Sequence, residues 1–162
     1  MIDLLVIGAG LSGLMPAYHV ASSGWSVRVI AKGMGALHWD AATVDVLGYL
    51  PDNGEVVQCP LEKIALFSSN HSYNLVDEEE LRAALDQFIS LTEAMHLPYR
   101  PAVVAGENIL LPSPIGAARP AFLCPAAQYT GDLSRSEPML IAGFEGLRDF
   151  YPALIAENLN KL

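Results

Sequence analysis

Gly8-Ala9-Gly10-Leu11-Ser12-Gly13 is the stretch of this chain whose residue types and spacing can do chemistry. The glycines follow the apolar run Leu4-Leu5-Val6-Ile7 directly and open a helical pattern. The chemistry is recognition of a pyrophosphate. Gly8 makes the tight turn off the strand. Gly10 has no Cβ, so backbone and phosphate can approach closely, and Gly13 lets helix and strand pack tightly. The helix N-terminus adds unpaired N–H groups and partial positive charge. A glycine turn that only packs a helix on a strand has the same local form.

Other candidates are weaker. Dinucleotide folds place Asp or Glu about twenty residues past the glycines to hold ribose hydroxyls. Here Ile30 is followed by Ala31-Lys32-Gly33, so the acid is missing. Lys32 is placed to meet a phosphate; the plainer reading is a solvated lysine. His71, in the polar loop Ser68–Tyr73, has the chemistry of an acid, a base or a phosphate contact, yet no partner for it is visible. Arg119 is the one cation in an apolar region. It meets either an anionic group of a ligand or neighbour, or plain solvent beside an edge strand. No catalytic residue is assigned. Glu78, Glu79 and Glu80 read as a helix start, because no His or Asp completes a metal-ligand set at i+3 or i+4.

Bulk properties bound the class. The chain has 162 residues, 52% of them hydrophobic and 17% charged, with a net charge of −9. That supports a sizeable core and one domain, or one domain with a piece of another. No basic patch exists, which argues against nucleic acid. Cys59 and Cys124 stand too far apart for a disulfide framework or a zinc site, and a reducing, cytoplasmic setting fits. The apolar N-terminus lacks the basic start of a signal peptide, and no run is long enough to cross a membrane.

The elements that must position the glycines follow from periodicity. A strand over Leu4–Ile7, a helix to about Ser22 and a second strand over Val27–Ile30 form a βαβ unit. Pro16 predicts a late helix start or a slight kink; the plainer reading is a proline tolerated early in the helix. Val44, Leu47 and Leu50 are at helical spacing, which predicts a short helix over Thr43–Leu50 closed by a turn at Pro51–Gly54. A helix is expected from Pro60 to about Phe67. The clearest helix is Asp77–Met95, with an Asp77/Glu80 capping box and an apolar stripe of Leu81, Ala84, Leu85, Phe88, Leu91 and Met95. Beyond it the chain reads as β: Ala102–Ala105, a hairpin turn at Gly106–Asn108, Ile109–Leu111, then Ala117–Leu123. Pro112, Pro114, Pro120 and Pro125 confine these to edges or short pieces. Gly131–Leu133 predicts a turn. A strand over Met139–Ala142 and a helix from Phe150 to Leu162 would begin a second α/β unit. The fold class is α/β, a Rossmann-like FAD/NAD(P)-binding βαβ unit with a partial second α/β or β-rich subdomain. The expected division is residues 1–96 and 97–162.

GAGLSG, GMGALHWDAATVDVLGYLPD, NILLPSPIGAARPAFLCP and IAGFEGLRDFYPAL together resemble the B subunit of the anaerobic glycerol-3-phosphate dehydrogenases. The resemblance runs over nearly the whole chain in order. Ala36-Leu37-His38 with Asp45 and Leu47 is its most specific part. It implies a flavoprotein, with FAD or FMN as cofactor and with Gly8, Ala9, Gly10, Leu11, Ser12, Gly13 and Lys32 as cofactor-binding candidates. It implies oxidation of sn-glycerol 3-phosphate to dihydroxyacetone phosphate. Electrons would pass through other dehydrogenase subunits towards quinone, and contact with the membrane would come only through them. There are two departures. Ala41-Ala42-Thr43 replaces the family's Ser/Gly pair. Family members are also more than twice as long, so this chain resembles an N-terminal portion. A non-catalytic binding or docking subunit is the second reading, and an NAD(P)-binding module, disfavoured by Ala31, the third. A half-closed flavin site exposes apolar surface, so a homo-oligomer is expected.

Overall fold

The computed structural model describes residues 1–67 and 70–162, with Leu37 by its backbone alone. Ser68 and Ser69 of the expected polar loop lie outside the described residues. The chain divides into two compact units, Met1–Ala42 and Thr43–Leu162.

In the first unit, strand β1 (Leu4–Ile7), helix α1 (Leu11–Ser22) and strand β2 (Val27–Ile30) stand where periodicity predicts them. β1 and β2 pair in parallel, Leu4 opposite Val27 and Ile7 opposite Ile30. Two parallel strands need a crossover, and α1 supplies it, packing on both. Side chains alternate along β1: Leu4 and Val6 are half-buried, Leu5 and Ile7 exposed. The helix starts at Leu11, not late, with Pro16 as its sixth residue. Proline there forgoes the bond to the Ser12 carbonyl, and the rest of the helix carries it. The glycine turn therefore runs from strand to helix with no intervening loop.

The second unit is built on two antiparallel pairs. β3 (Tyr99–Pro101) pairs with β6 (Leu123–Pro125), and β4 (Ile109–Pro112) pairs with β5 (Ala118–Ala121). Each sheet has two strands, so every strand is an edge, which is why Pro101, Pro112, Pro120 and Pro125 are all accommodated. Helix α3 (Glu78–Ala94) packs on β3, after the short helix α2 (Pro60–Ile64). One core cluster joins Leu61 and Ile64 of α2, Leu85 of α3, and Phe122 and Leu123. A second joins Ile109, Leu111, Ala121 and Cys124. Helix α4 (Pro152–Leu159) closes on the β4–β5 turn, where Asn158 donates to the Ile115 carbonyl at 2.8 Å.

Several expectations are corrected. Thr43–Leu50 is extended, not helical: Val44 bridges Leu123, and Tyr49 bridges Val56 across the Pro51–Gly54 turn. The first strand after α3 is Tyr99–Pro101, and residues 102–105 are irregular. The turn at Gly106 joins no hairpin, because β3 pairs with β6. Ala117–Leu123 is two strands, interrupted at Phe122. Met139–Ala142 forms no strand; it has no pairing partner among the described residues, and Leu140 is largely exposed. The second α/β unit is therefore not formed. On α3 the inward face carries Leu81, Leu85, Phe88, Ile89 and Thr92, while Ala84 and Met95 are exposed.

Candidate functional site

Gly8 to Gly13 form a turn held from both sides. The Gly8 N–H donates to the Ile30 carbonyl at 2.8 Å, extending the β1–β2 ladder by one bond into the loop. Gly8 has φ +113°, a conformation that residues with a Cβ rarely adopt. A Cβ on Gly13 would lie 2.8 Å from the Gly8 carbonyl oxygen and 3.1 Å from the Val6 side chain, so the third glycine sets the approach of helix to strand. Gly10 is the N-cap of α1, and a Cβ there would meet no protein atom within 4 Å. The backbone at Gly10 thus faces open space. The Gly10 carbonyl accepts from Gly13 and Leu14, and the N–H groups of Leu11 and Ser12 take no backbone partner among the described residues. Bare backbone, two unclaimed donors and the positive end of a twelve-residue helix fit the phosphates of a dinucleotide.

The loop after β2 adds a glycine whose part in this turn was not foreseen. A Cβ on Gly35 would stand 2.4 Å from the Ala9 oxygen and 2.5 Å from the Gly10 Cα. Gly35 therefore lies directly on the glycine turn and N-caps the short 3-10 turn Ala36–His38. The sequence signal was its place among small residues after the second strand. Lys32, two residues past β2, is exposed and has no ion pair among the described residues.

The other candidates lie in the second unit. Arg119 on β5 is half-buried and tied within the chain: its Nη1 donates to Thr43 Oγ1 at 2.8 Å and to Asp45 Oδ2 at 3.3 Å. It is neither a bare surface arginine nor the sole owner of its charge. Thr43 and Asp45 were not foreseen as its partners, since more than seventy residues separate them. His71 stacks between Phe67 and Tyr73, with ring centroids 4.2 and 5.4 Å apart, and its Nδ1 accepts from the Tyr73 N–H at 3.3 Å. That makes it a packed cap of the 3-10 turn Ser72–Leu75. Asp77 and Glu80 form the capping box, so these acids do start a helix. Among the described residues no group of three His, Cys, Asp or Glu is placed to hold a metal. Both cysteines are free, and burial, then the charge of Asp132, pushes the Cys124 thiol up. No helix among the described residues is long and apolar enough to cross a membrane.

Comparison with known proteins bears on the chain as a whole. A family model described as FAD binding domain matches residues 3–161. The B subunit of anaerobic glycerol-3-phosphate dehydrogenase from Aliivibrio fischeri is 30% identical over 99% of this chain and 36% of its own length. The Vibrio cholerae protein of the same name is 31% identical over 97% and 36%. That of Glaesserella parasuis is 31% identical over 98% and 38%. The chain thus spans little more than a third of the length of these relatives. No solved structure matches it.

Proposed function

Because the chain belongs to the FAD binding domain family, we propose that it is the flavin-holding part of an oxidoreductase that oxidises sn-glycerol 3-phosphate to dihydroxyacetone phosphate. The observation that carries this reading is the open backbone at Gly10, beside the unclaimed Leu11 and Ser12 N–H groups, in a chain similar to the B subunit of such dehydrogenases. FAD is the cofactor the family membership supports; FMN, with one phosphate, is the variant that the missing acid after β2 leaves open.

Gly8, Ala9, Gly10, Leu11, Ser12 and Gly13 would hold the pyrophosphate through backbone donors, Gly35 would keep the turn in place, and Lys32 would screen the phosphate charge. When bound, the flavin supplies the redox chemistry, and the chain's residues bind and orient it. The substrate would lose two electrons and two protons, and the electrons would leave through other dehydrogenase subunits towards quinone. Such a chain would work in the cytoplasm, at the membrane only through those partners.

A second reading is a non-catalytic binding or docking subunit. It is favoured by the coverage of only 36–38% of the relatives' length and by Ala41-Ala42-Thr43 in the loop after β2. The visible spectrum of the purified chain, before and after addition of FAD or FMN, separates the two. One-to-one flavin binding followed by glycerol 3-phosphate oxidation with an artificial acceptor supports the enzyme. An intact fold that takes no flavin sinks it.

A further inference from the structure

Asn53 is the one asparagine in this chain that glycine follows. The pair closes the turn after Leu50, and Asn53, Gly54 and Glu55 are all exposed. The Leu50 N–H donates to the Glu55 carbonyl at 2.8 Å, and the Gly54 N–H donates to the Leu50 carbonyl at 2.9 Å. The Asn53 side chain is held as well: Oδ1 accepts from the Glu55 N–H at 2.9 Å, and Nδ2 donates to Glu55 Oε2 at 3.3 Å. Gly54 has φ +70°, and a Cβ there would meet no protein atom within 4 Å. With no side chain beside it, the Gly54 nitrogen is the least hindered backbone nucleophile that an asparagine amide can meet. Asparagine is in turn among the chemically labile residues.

We propose that Asn53 is a self-modification site, converting to aspartate and isoaspartate through a cyclic imide, and that the hydrogen bond from Gly54 to Leu50 is the latch that sets its rate. The Gly54 nitrogen gives its proton to solvent base and attacks Asn53 Cγ. The new N–C bond closes the imide as the Cγ–Nδ2 bond breaks, and the amide nitrogen takes up a proton and leaves as ammonia. Water then opens the ring. Attack at the side-chain carbonyl restores the backbone and leaves aspartate; attack at the backbone carbonyl leaves the chain running through the side chain. Nothing is oxidised or reduced, and solvent water is the co-reactant. While the turn is closed, the nucleophile is committed to the Leu50 carbonyl and the amide to Glu55, so the reaction waits on local opening. Once made, the product keeps the turn open. A carboxylate cannot donate to Glu55 and repels it, and isoaspartate lengthens the backbone inside the ladder where Tyr49 bridges Val56. This site is independent of the glycine turn and of the flavin reading.

The test is ageing of the full chain in mildly alkaline buffer, folded and in denaturing urea, with peptide mapping by mass spectrometry for the imide, aspartate and isoaspartate at each asparagine. In the folded chain Asn53 should convert ahead of Asn70, Asn74, Asn108, Asn158 and Asn160. In urea its rate should rise by about tenfold or more, the factor that losing the Gly54 and Asn53 hydrogen bonds allows. The converted folded chain, separated by anion exchange, should unfold at lower urea than its parent. The proposal is overturned if another asparagine converts first in the folded chain, if Asn53 stays intact there throughout the incubation, or if its rate is the same folded and in urea.

Discussion

At the scale of single residues, two glycines of the first unit have opposite surroundings, and that separates binding from folding. A methyl group at Gly10 meets no protein atom, and its φ of −80° suits alanine. Gly10→Ala should keep stability within about 0.5 kcal/mol of the parent's while abolishing flavin retention, read from the visible spectrum. A methyl at Gly35 collides with the backbone of Ala9 and Gly10. Gly35→Ala should lose both flavin and about 1–3 kcal/mol of stability. Equal flavin content in Gly10→Ala and the parent would refute the pyrophosphate assignment. Tyr73 offers a pH test. Its hydroxyl donates to the Val46 carbonyl, and burial pushes its pKa above the ordinary value of 10.0. A raised folded pKa means stability is full below the unfolded pKa and falls as pH rises through the folded one. Tyr73→Phe should cost about 1–2 kcal/mol at neutral pH by stranding that carbonyl, and it should flatten the loss of stability above about pH 10 in urea titrations.

Elements formed where their hydrogen bonds are local, and departed from periodicity where tertiary partners compete. Helix α3 is the local case. The Glu80 N–H donates to Asp77 Oδ1 at 2.7 Å, and the Asp77 N–H to Glu80 Oε2 at 3.2 Å. Asp77→Ala removes one half of this exchange and should cost roughly 1 kcal/mol, measured by urea unfolding; no change would mean that packing alone starts the helix. Thr43–Leu50 is the competing case. Val44 exchanges backbone bonds with Phe122 and Leu123, Tyr73 takes the Val46 carbonyl, and Asn108 takes that of Leu47. A helix there would need those same carbonyls for its own N–H groups, so the segment stays extended. Met139–Ala142 fails as a strand for the converse reason: an apolar run pairs only if a partner edge reaches it.

At the scale of the whole molecule, the first unit is an unfinished sheet. Parallel sheets are normally covered on both faces, yet Leu5 is 50% exposed and Ile7 83%, with Ile30 beside them also exposed. α1 covers only the other face. Arg28, opposite Leu5, is the one charged side chain among these four on that face, and exposed apolar side chains grouped in this way favour association. The chain is expected to self-associate in dilute solution, and light scattering coupled to size exclusion that found monomer at every concentration would refute this. Leu5→Lys with Ile7→Lys should shift the distribution to monomer while α1 and the glycine turn persist.

The βαβ unit with its glycine turn, the start of α3 and the confinement of the prolines to edge strands are all legible in the amino-acid sequence. The reason is that glycine spacing, a capping box and a missing N–H act within a few residues of chain. The packing role of Gly13 is legible for the same reason. Only the folded chain shows that Gly35 rests on Gly10, that Arg119 belongs to Thr43 and Asp45, and that β3 pairs with β6. Those are contacts between residues distant in the chain, 76 positions for Arg119 and Thr43. Composition and periodicity carry no term for which distant group will arrive.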